Sequence, residues 1–202
     1  MYLTQIVVDL KEAFRQRLVD AYAWHQALWK AFPNHGGKDR DFLIRTEMRR
    51  DCHQTLLLSP EAPMPCGWGK WETKDVMQTF LEQETYLFDL RANPVVSKSV
   101  PWDGQAPRPR GKRQPILESG ELEDWIHRKG ESGGFEVDRS QLEIGVPAQQ
   151  RFRKKGQDGV HTRVDFRGML TVRDRGTFRA AFRKGIGPAK AFGFGLLMLR
   201  PI

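Results

Sequence analysis

The sequence predicts an α+β protein made of two units in tandem, residues 1–90 and 91–202. Short segments with alternating apolar residues are separated by segments with apolar residues at helical spacing, in the order β-α-β-β-α-β. The same order recurs in the second half, although the two halves share no visible sequence repeat. The charge also changes between them. Residues 1–90 carry 11 basic and 13 acidic side chains, whereas residues 91–202 carry 22 basic and 12 acidic ones.

In the first half, β-branched and aromatic residues mark the strands, and apolar residues at helical spacing mark the helices. The predicted elements are a strand at 2–10, a helix at 17–32, strands at 42–48 and 54–58, a short helix at 74–81 and a strand at 86–90. Leu18, Tyr22, Leu28 and Phe32 fall near one face of the first helix, which Pro33 ends. This order of elements is typical of a ferredoxin-like unit.

The second half predicts a similar unit. The elements are a continuation of the 86–90 strand toward residue 96, a helix at 121–129, an extended region from 135–137 to 150–152, a strand at 163–172, a basic helix at 175–184 and a strand at 196–199. Val164, Phe166 and Leu170 lie on one side of the 163–172 strand, which indicates a buried face. Both halves therefore predict the same fold class.

The composition excludes several classes of protein. Cys52 and Cys66 belong to no motif with zinc spacing, and two cysteines cannot form a disulfide framework, so we expect reduced thiols in the cytoplasm. The N-terminal segment lacks the basic region of a signal peptide, and no apolar run approaches the length of a membrane span. No histidine or carboxylate grouping has metal-ligand spacing, so we expect no metal site.

The basic second half indicates a polyanionic partner, and nucleic acid is the expected one because phosphate contacts dominate its binding. The clearest cationic motif is 150–167, in which Gly156-Gln157-Asp158-Gly159 predicts a hairpin turn. Six cations lie on its arms: Arg151, Arg153, Lys154, Lys155, Arg163 and Arg167. Two interpretations stay open, contact with RNA phosphates and a solubilising surface hairpin.

Two other segments allow a similar pair of interpretations. Residues 107–113 (PRPRGKR) either wrap a phosphate backbone or form a solvated loop, and their cations are Arg108, Arg110, Lys112 and Arg113. Residues 185–195 (GIGPAKAFGFG) hold four glycines and Lys190, and such a backbone can approach a phosphate closely with its N–H groups. The alternative is a plain connection from helix to strand, and the P-loop pattern GxxxxGK[ST] is absent.

Tyr22 and His25 are neighbours on the first predicted helix, because residues three apart share a face. Lys30 lies roughly 140° around that helix from His25 and about 80° from Tyr22. A histidine beside a tyrosine can exchange protons at neutral pH, which suits general acid–base catalysis. A single histidine is more often structural than catalytic, however. On the sequence alone the other histidines are equally plausible: His35, His53, His127 and His161.

Several segments, taken together and in order, resemble the CasE family, the CRISPR RNA endoribonuclease of type I-E Cascade. They are 1–4 (MYLT), 22–33 (YAWHQALWKAFP), 41–43 (DFL), 90–94 (LRANP) and 185–197 (GIGPAKAFGFGLL). The resemblance extends over the whole chain. Its most specific parts are LRANP and the glycine-rich segment.

The resemblance implies two tandem ferredoxin-like (RRM-like) domains and an endoribonuclease that needs no metal or other cofactor. It implies cleavage of precursor CRISPR RNA at the 3′ base of the repeat stem-loop, leaving a 2′,3′-cyclic phosphate and a 5′-OH. The family's histidine and tyrosine match His25 and Tyr22, and a lysine that assists in some members matches Lys30. Its stem-binding region corresponds to 151–167. Its glycine-rich loop matches Gly187, Lys190, Gly193 and Gly195.

Two other functions stay open at the level of the sequence. The chain could be a non-catalytic protein that binds an RNA stem-loop, in which case Tyr22 and His25 are simply helix residues. It could also act mainly as a structural subunit of an RNA-guided complex. The resemblance includes part of this last function, because it implies that the enzyme stays on its product as a Cascade subunit.

Overall fold

The structure, a computed structural model, describes residues 1–33, 41–98, 104, 111–154 and 156–202. The elements in these ranges are β1 (Tyr2–Asp9), α1 (Leu10–Arg15), α2 (Ala21–Trp29), β2 (Leu43–Met48), β3 (Cys52–Ser59), β4 (Lys70–Asp75), β5 (Thr85–Ala92), β6 (Val95–Lys98), β7 (Lys112–Pro115), α3 (Ser119–Gly133), β8 (Phe135–Val137), β9 (Glu143–Ile144), β10 (Ala148–Lys154), β11 (Gln157–Val172), α4 (Arg175–Lys184) and β12 (Leu197–Pro201). Short 3-10 turns occupy Gln78–Leu81, Arg139–Gln141 and Lys190–Phe192.

The first sheet has the strand order β2-β3-β1-β4, with every neighbouring pair antiparallel. Thr4, Ile6 and Val8 are buried on one face of β1, as the alternating pattern predicts. Helix α2 packs against this sheet with Trp24 and Leu28 in the core. The α+β fold class is confirmed, and the strand order is that of a ferredoxin-like unit.

Two first-half predictions are wrong in detail. Residues 70–75 form the edge strand β4, followed by a 3-10 turn, where a helix was expected at 74–81. The open edge of β1 explains this, because it gives β4 a partner along 2–7 that local propensity cannot reveal. The helix expected at 17–32 begins only at Ala21, where Asp20 caps it, and α1 precedes it.

The second sheet has the order β10-β11-β5-β12, and the short strands β8 and β9 pair with β11. Helices α3 and α4 pack on it, and its core contains Trp125, Phe166 and Phe178. The four strands β5, β8, β11 and β12 lie in the spatial order β8-β11-β5-β12. Counted along the chain this is second, third, first, fourth, which is the order of the first sheet. Strand β5 pairs only with β11 and β12 among the described strands, so the expected boundary at residue 90 falls inside a second-sheet strand.

The cationic hairpin forms, but its turn lies earlier than expected. In the β10–β11 register Lys154 is opposite Gln157, which places Asp158 and Gly159 within β11. Gly159 faces Phe152 across the pair, and a Cβ on Gly159 would lie 2.3 Å from the end of the Phe152 ring. The glycine therefore makes room for a cross-strand aromatic ring.

A buried ion network joins the two sheets. Arg45 on β2 donates to Glu47 (2.9 Å) and to Asp89 on β5 (2.6 Å). Arg91 on β5 donates to Glu47 (2.9 Å) and to Asp165 on β11 (2.8 Å). Both arginines are about 95% buried, so each depends on carboxylates from its own sheet and from the other sheet. The network therefore fixes β2 against β5.

We expect acid to weaken this junction through Asp165. Burial opposes ionisation of Asp165, but the hydrogen bonds and charges of Arg91 and Arg163 outweigh it and lower its pKa to about 2. A pKa below the ordinary carboxyl value means that the ionised group stabilises the fold above about pH 4 and that this contribution is lost as the pH falls toward 2. Urea unfolding of wild type and Asp165→Asn over this range measures the loss.

The wild-type free energy of unfolding should fall more steeply than that of Asp165→Asn between about pH 4 and about pH 2. Asp124→Asn, on α3 and outside the ion network, is the matched control and should retain the wild-type slope. Equal slopes for wild type and Asp165→Asn would contradict the role of this carboxylate.

Candidate functional site

Asp20 fixes both the start of α2 and the position of the cationic hairpin. One carboxylate oxygen accepts a hydrogen bond from the Ala23 N–H at 2.8 Å, which is an N-cap. The other accepts from the Arg153 N–H on β10, also at 2.8 Å. A single side chain thus holds the hairpin of the second unit against the N-terminus of a first-unit helix.

Tyr22 lies where three elements meet. Its partly exposed ring stacks on Phe192 of the glycine-rich segment, with centroids 5.6 Å apart and an interplanar angle of 25°. The Lys154 ammonium of the hairpin lies 5.7 Å from the centroid of the same ring. The N-terminal end of α2 also favours negative charge. The phenol therefore stands beside a cation and a helix N-terminus, a setting that suits a phosphate.

His25 lies one turn further along α2, and its ring is 1% exposed. It stacks on Phe42, with centroids 4.8 Å apart and an interplanar angle of 29°. The spacing prediction that Tyr22 and His25 are helix neighbours is consistent with α2, which contains both. A ligand can contact the imidazole only after a local movement of the residues around it.

Lys30 is not part of this meeting point. It is the C-cap of α2, about 12 Å along the helix axis from Tyr22. Its side chain is exposed. Burial raises the pKa of the Cys66 thiol, and the charge of Lys30 partly opposes that rise. The cation that the structure places beside the Tyr22 ring is Lys154.

An aromatic cluster packs around the Phe192 ring, which stacks on Tyr22. Phe192 contacts Phe152 at 4.2 Å and His161 at 4.6 Å between centroids, and Phe152 stacks on His161 at 4.6 Å. Asn93 holds His161 in place, because its Nδ2 lies 3.2 Å from the imidazole Nδ1 and its Oδ1 accepts from the Thr162 N–H at 3.2 Å. Burial lowers the pKa of His161.

The glycine-rich segment is a tightly folded loop. Gly187, Gly193 and Gly195 have φ of 80°, 84° and 89°, values that favour glycine. The Gly195 N–H donates to the Arg91 carbonyl at 2.8 Å, and the Gly195 carbonyl accepts from the Ile186 N–H at 2.9 Å. The loop is therefore attached to β5 and closed on itself at its base.

Lys190 opens the 3-10 turn at the tip of this loop. Its side chain is half-buried, and its pKa is lowered by that burial and by repulsion from Lys184 and Lys129. The charges of Lys184 and Lys129 therefore act on Lys190. A bound anion would relieve this repulsion.

The other predicted RNA-binding residues divide into three groups. Arg151, Arg153 and Lys154 are exposed on β10, and Arg113 is exposed on β7, which begins at Lys112. Arg163 is held by Asp165 through its Nε at 3.2 Å, so it belongs partly to the buried ion network. Arg108, Arg110 and Lys155 lie outside the described residues, as does His35.

Sequence reasoning assigned no role to Phe152, Phe192 or Asn93, and it considered His161 only as one of several possible acid–base groups. Phe192 lies inside the recognised glycine-rich segment and Asn93 inside LRANP, so both were visible as motif residues without an assigned role. Their role depends on contacts between residues far apart in the chain, for which the sequence holds no signal. The N-cap role of Asp20 could have been found from its place before an apolar helix.

The arrangement supplies groups for proton transfer and for phosphate binding. An imidazole and a phenol lie on one helix, the Lys154 ammonium of the hairpin lies beside the phenol, and the loop that carries Lys190 contacts the phenol ring through Phe192. Within the described residues, no three His, Cys, Asp or Glu side chains are grouped so that they could hold a metal ion. None of the described helices is both long enough and apolar enough to cross a lipid bilayer.

Comparisons with known proteins cover the full length of the chain. The family model described as CRISPR associated protein matches residues 1–201. The CRISPR system Cascade subunit CasE of Escherichia coli is 31% identical, with all of both chains covered. The CRISPR-associated endoribonuclease Cse3 of Thermus thermophilus is 28% identical, also with full coverage of both. A solved structure of Cse3 bound to a 19-nucleotide RNA matches with a TM-score of 0.82 at 27% identity, again over both full chains.

The loop geometry predicts that Gly195 cannot be replaced. A Cβ there would lie 2.7 Å from the Ile186 carbonyl oxygen, and the φ of 89° adds strain for any other residue. We expect Gly195→Ala to lower the free energy of unfolding by more than about 1 kcal/mol in urea titrations. Gly120→Ala, in the first turn of α3 with open space around it, is the control and should leave stability equal or slightly raised. Equal stability of the two variants would contradict this account.

Proposed function

This chain belongs to the CasE family of CRISPR-associated proteins, and on that premise we propose that it cleaves precursor CRISPR RNA at the 3′ base of the repeat stem-loop. The reaction needs no metal ion, and the product remains bound to the enzyme as part of a Cascade complex. One observation carries the proposal. At Tyr22, the helix that holds His25 meets the cationic hairpin and the glycine-rich loop.

The chemistry uses the substrate's own nucleophile. The 2′-OH before the cut attacks the adjacent phosphorus, its proton passes to a base, and the departing 5′ oxygen takes a proton from an acid. The products are a 2′,3′-cyclic phosphate and a 5′-OH. The protein must align the attacking and leaving oxygens and stabilise the charge on the phosphorane.

We assign one of the two proton transfers to His25. Tyr22, which lies one turn before His25 on the same helix, orients the ribose or activates the 2′-OH. Lys30 was expected to support the phosphate charge, but Lys154 lies beside the Tyr22 ring and Lys190 lies in the loop that Phe192 holds against it. Ammonium groups in these positions stabilise charge that develops on the phosphate oxygens.

His25 needs a local rearrangement before it can act. Its ring is 1% exposed and stacked on Phe42, whereas a proton-transfer group must reach the reacting oxygen within hydrogen-bond distance. RNA binding at the N-terminus of α2 supplies the energy for this change. Catalytic contacts commonly tighten only in the substrate complex.

The stem of the repeat would lie on the exposed cations of β10. Arg151, Arg153 and Lys154 extend from a two-stranded ribbon, which can reach phosphates on both sides of a groove near the end of a stem. Arg113 and the glycine-rich loop add contacts on the other side of the aromatic cluster. Retention of the cut RNA by these contacts accounts for a role as a Cascade subunit.

The burial of His25 favours one alternative function. If the ring stays enclosed when RNA is bound, the chain is a non-catalytic subunit that binds an RNA stem-loop. The same hairpin and loop contacts would then serve only for binding.

Two further properties accompany the proposal. We place the protein in the cytoplasm, where its RNA substrate is made and where Cys52 and Cys66 would remain the free thiols that they are in the structure. We also propose that the two ferredoxin-like domains divide between β4 and β5, where the chain leaves the first sheet and enters the second.

Replacement of His25 tests the catalytic assignment. We expect His25→Ala to lower the single-turnover cleavage rate of the host's repeat RNA by at least about 100-fold in the presence of a chelator, because it removes a proton-transfer group. The dissociation constant for the RNA should change little. His127→Ala, at a half-buried position on α3, is the matched control and should cleave like wild type. Wild-type cleavage by His25→Ala would establish the non-catalytic alternative for this histidine.

Replacement of Tyr22 separates its hydroxyl from its ring. Tyr22→Phe keeps the stacking on Phe192, so RNA binding and stability should remain unchanged while the cleavage rate falls about tenfold or more. Tyr22→Ala removes the ring as well and should also weaken binding. If Tyr22→Phe cleaves as fast as wild type, the hydroxyl has no part in the reaction.

Analysis of the fragment ends should show the 2′,3′-cyclic phosphate for every variant that cleaves.

A further inference from the structure

Helix α4 carries a line of arginines that the proposed function does not use. Phe178 and Phe182 anchor the helix in the core of the second unit. Arg175, Arg179 and Arg183 follow at four-residue intervals, so they form one stripe beside the buried face. Arg175 and Arg183 are exposed and Arg179 is partly exposed.

These three arginines lack a close ion-pair partner within the described part of the chain. None of them forms a salt bridge there, whereas Arg45 and Arg91 at the sheet junction are each held by two carboxylates. The helix itself contains no acidic residue. Asp174, which precedes it, is the N-cap and accepts a hydrogen bond from the Thr177 N–H at 2.6 Å. The Thr177 hydrogen bonds and, to a smaller extent, the charge of Arg179 lower the pKa of Asp174. The Arg179 Nε donates to the Arg175 carbonyl at 3.3 Å.

A groove runs beside the stripe. It has a volume of about 500 Å³ and separates α4 from the segment that follows β4. Arg179 and Arg183 lie on one wall, and apolar side chains of Met1, Val76 and Leu81 lie on the other. Cations beside an apolar surface suit a single nucleic-acid strand, because the cations can bind its phosphates and the apolar side chains can contact its bases.

The C-terminal end of α4 leads directly into the loop that borders the proposed active site. Lys184 ends α4, the glycine-rich loop begins at Gly185, and Lys190 opens the 3-10 turn of that loop. Burial and repulsion from Lys184 and Lys129 lower the pKa of Lys190. Phe192, two residues after Lys190, stacks on Tyr22. A phosphate backbone that leaves the active site along the loop therefore meets Lys190, Lys184 and then the arginines of α4.

We infer that α4 binds the single-stranded RNA on the 3′ side of the scissile phosphate. This rests on the proposed function, which assigns the stem on the 5′ side of the cut to the hairpin. The hairpin approaches Tyr22 through Lys154, and α4 leads from the loop to a different part of the surface. A ten-residue helix is about 15 Å long, which matches about four stacked nucleotides at about 3.4 Å each.

The test compares RNAs that differ only downstream of the cut. The host's repeat hairpin is made with a 2′-deoxyribose at the attacking nucleotide, so that it binds without being cleaved. One form ends at the cut, and others carry about four or about eight further 3′ nucleotides. Affinities are measured over a range of salt concentrations for wild type and for the triple variant R175Q/R179Q/R183Q.

For wild type, the 3′ extension should raise the affinity by about tenfold and steepen its salt dependence. In the triple variant this gain should disappear, and the salt slope for extended RNA should fall by about 2, because three phosphate contacts are lost. The affinity for the hairpin that ends at the cut should not change. The control variant R15Q/R49Q/R50Q removes three exposed arginines of the first unit and should keep the wild-type gain.

The inference would be overturned by an unchanged gain in the triple variant, by an equal loss for hairpin and extended RNA, or by a loss that depends on a 5′ extension instead. A variant that binds all RNAs normally but fails to assemble with other subunits would also overturn it and would assign α4 to a protein partner. Failure of the proposed function is distinct from all of these. Wild type would then neither cleave the unmodified repeat nor bind its hairpin.

Discussion

The structure depends on two buried guanidinium groups between the sheets. Removing a carboxylate from such a pair leaves an unmatched buried charge at a cost of about 3–5 kcal/mol, so the partners must stay in register. Arg91 is the central residue. Its side chain holds Glu47 of the first sheet and Asp165 of the second, and its carbonyl accepts from the Gly195 N–H. One residue thus fixes the glycine-rich loop relative to β2.

The same chain uses arginine in two physically different ways. At the sheet junction, Arg45 and Arg91 are buried and their charge is satisfied by carboxylates. On β10 and α4, arginines are exposed or partly exposed, and most lack an acidic partner within the described residues. The first kind holds the two units together. The second kind leaves positive charge on the surface of the second unit, the half of the chain that carries 22 of the 33 basic side chains.

Much of the fold could be predicted because its signals are local. Alternation in β1 and β11 and helical spacing in α3 and α4 mark a buried face whatever the partner is. Strand β4 could not be predicted, because its residues are mostly exposed and it exists as a strand only through pairing with β1. Gly159 was taken for a turn residue because the space that Phe152 needs across the hairpin is invisible in the sequence.

For the site, the sequence by itself determined that Tyr22 and His25 share a helix, that the second half is cationic and that a glycine-rich loop follows a basic helix. Only the tertiary structure decided that Phe192 and Lys154 meet Tyr22 and that His25 is enclosed. The reason is how far apart in the chain the interacting residues lie. Helix periodicity relates residues a few positions apart, whereas contacts between units depend on the register of sheets that the ion network locks together.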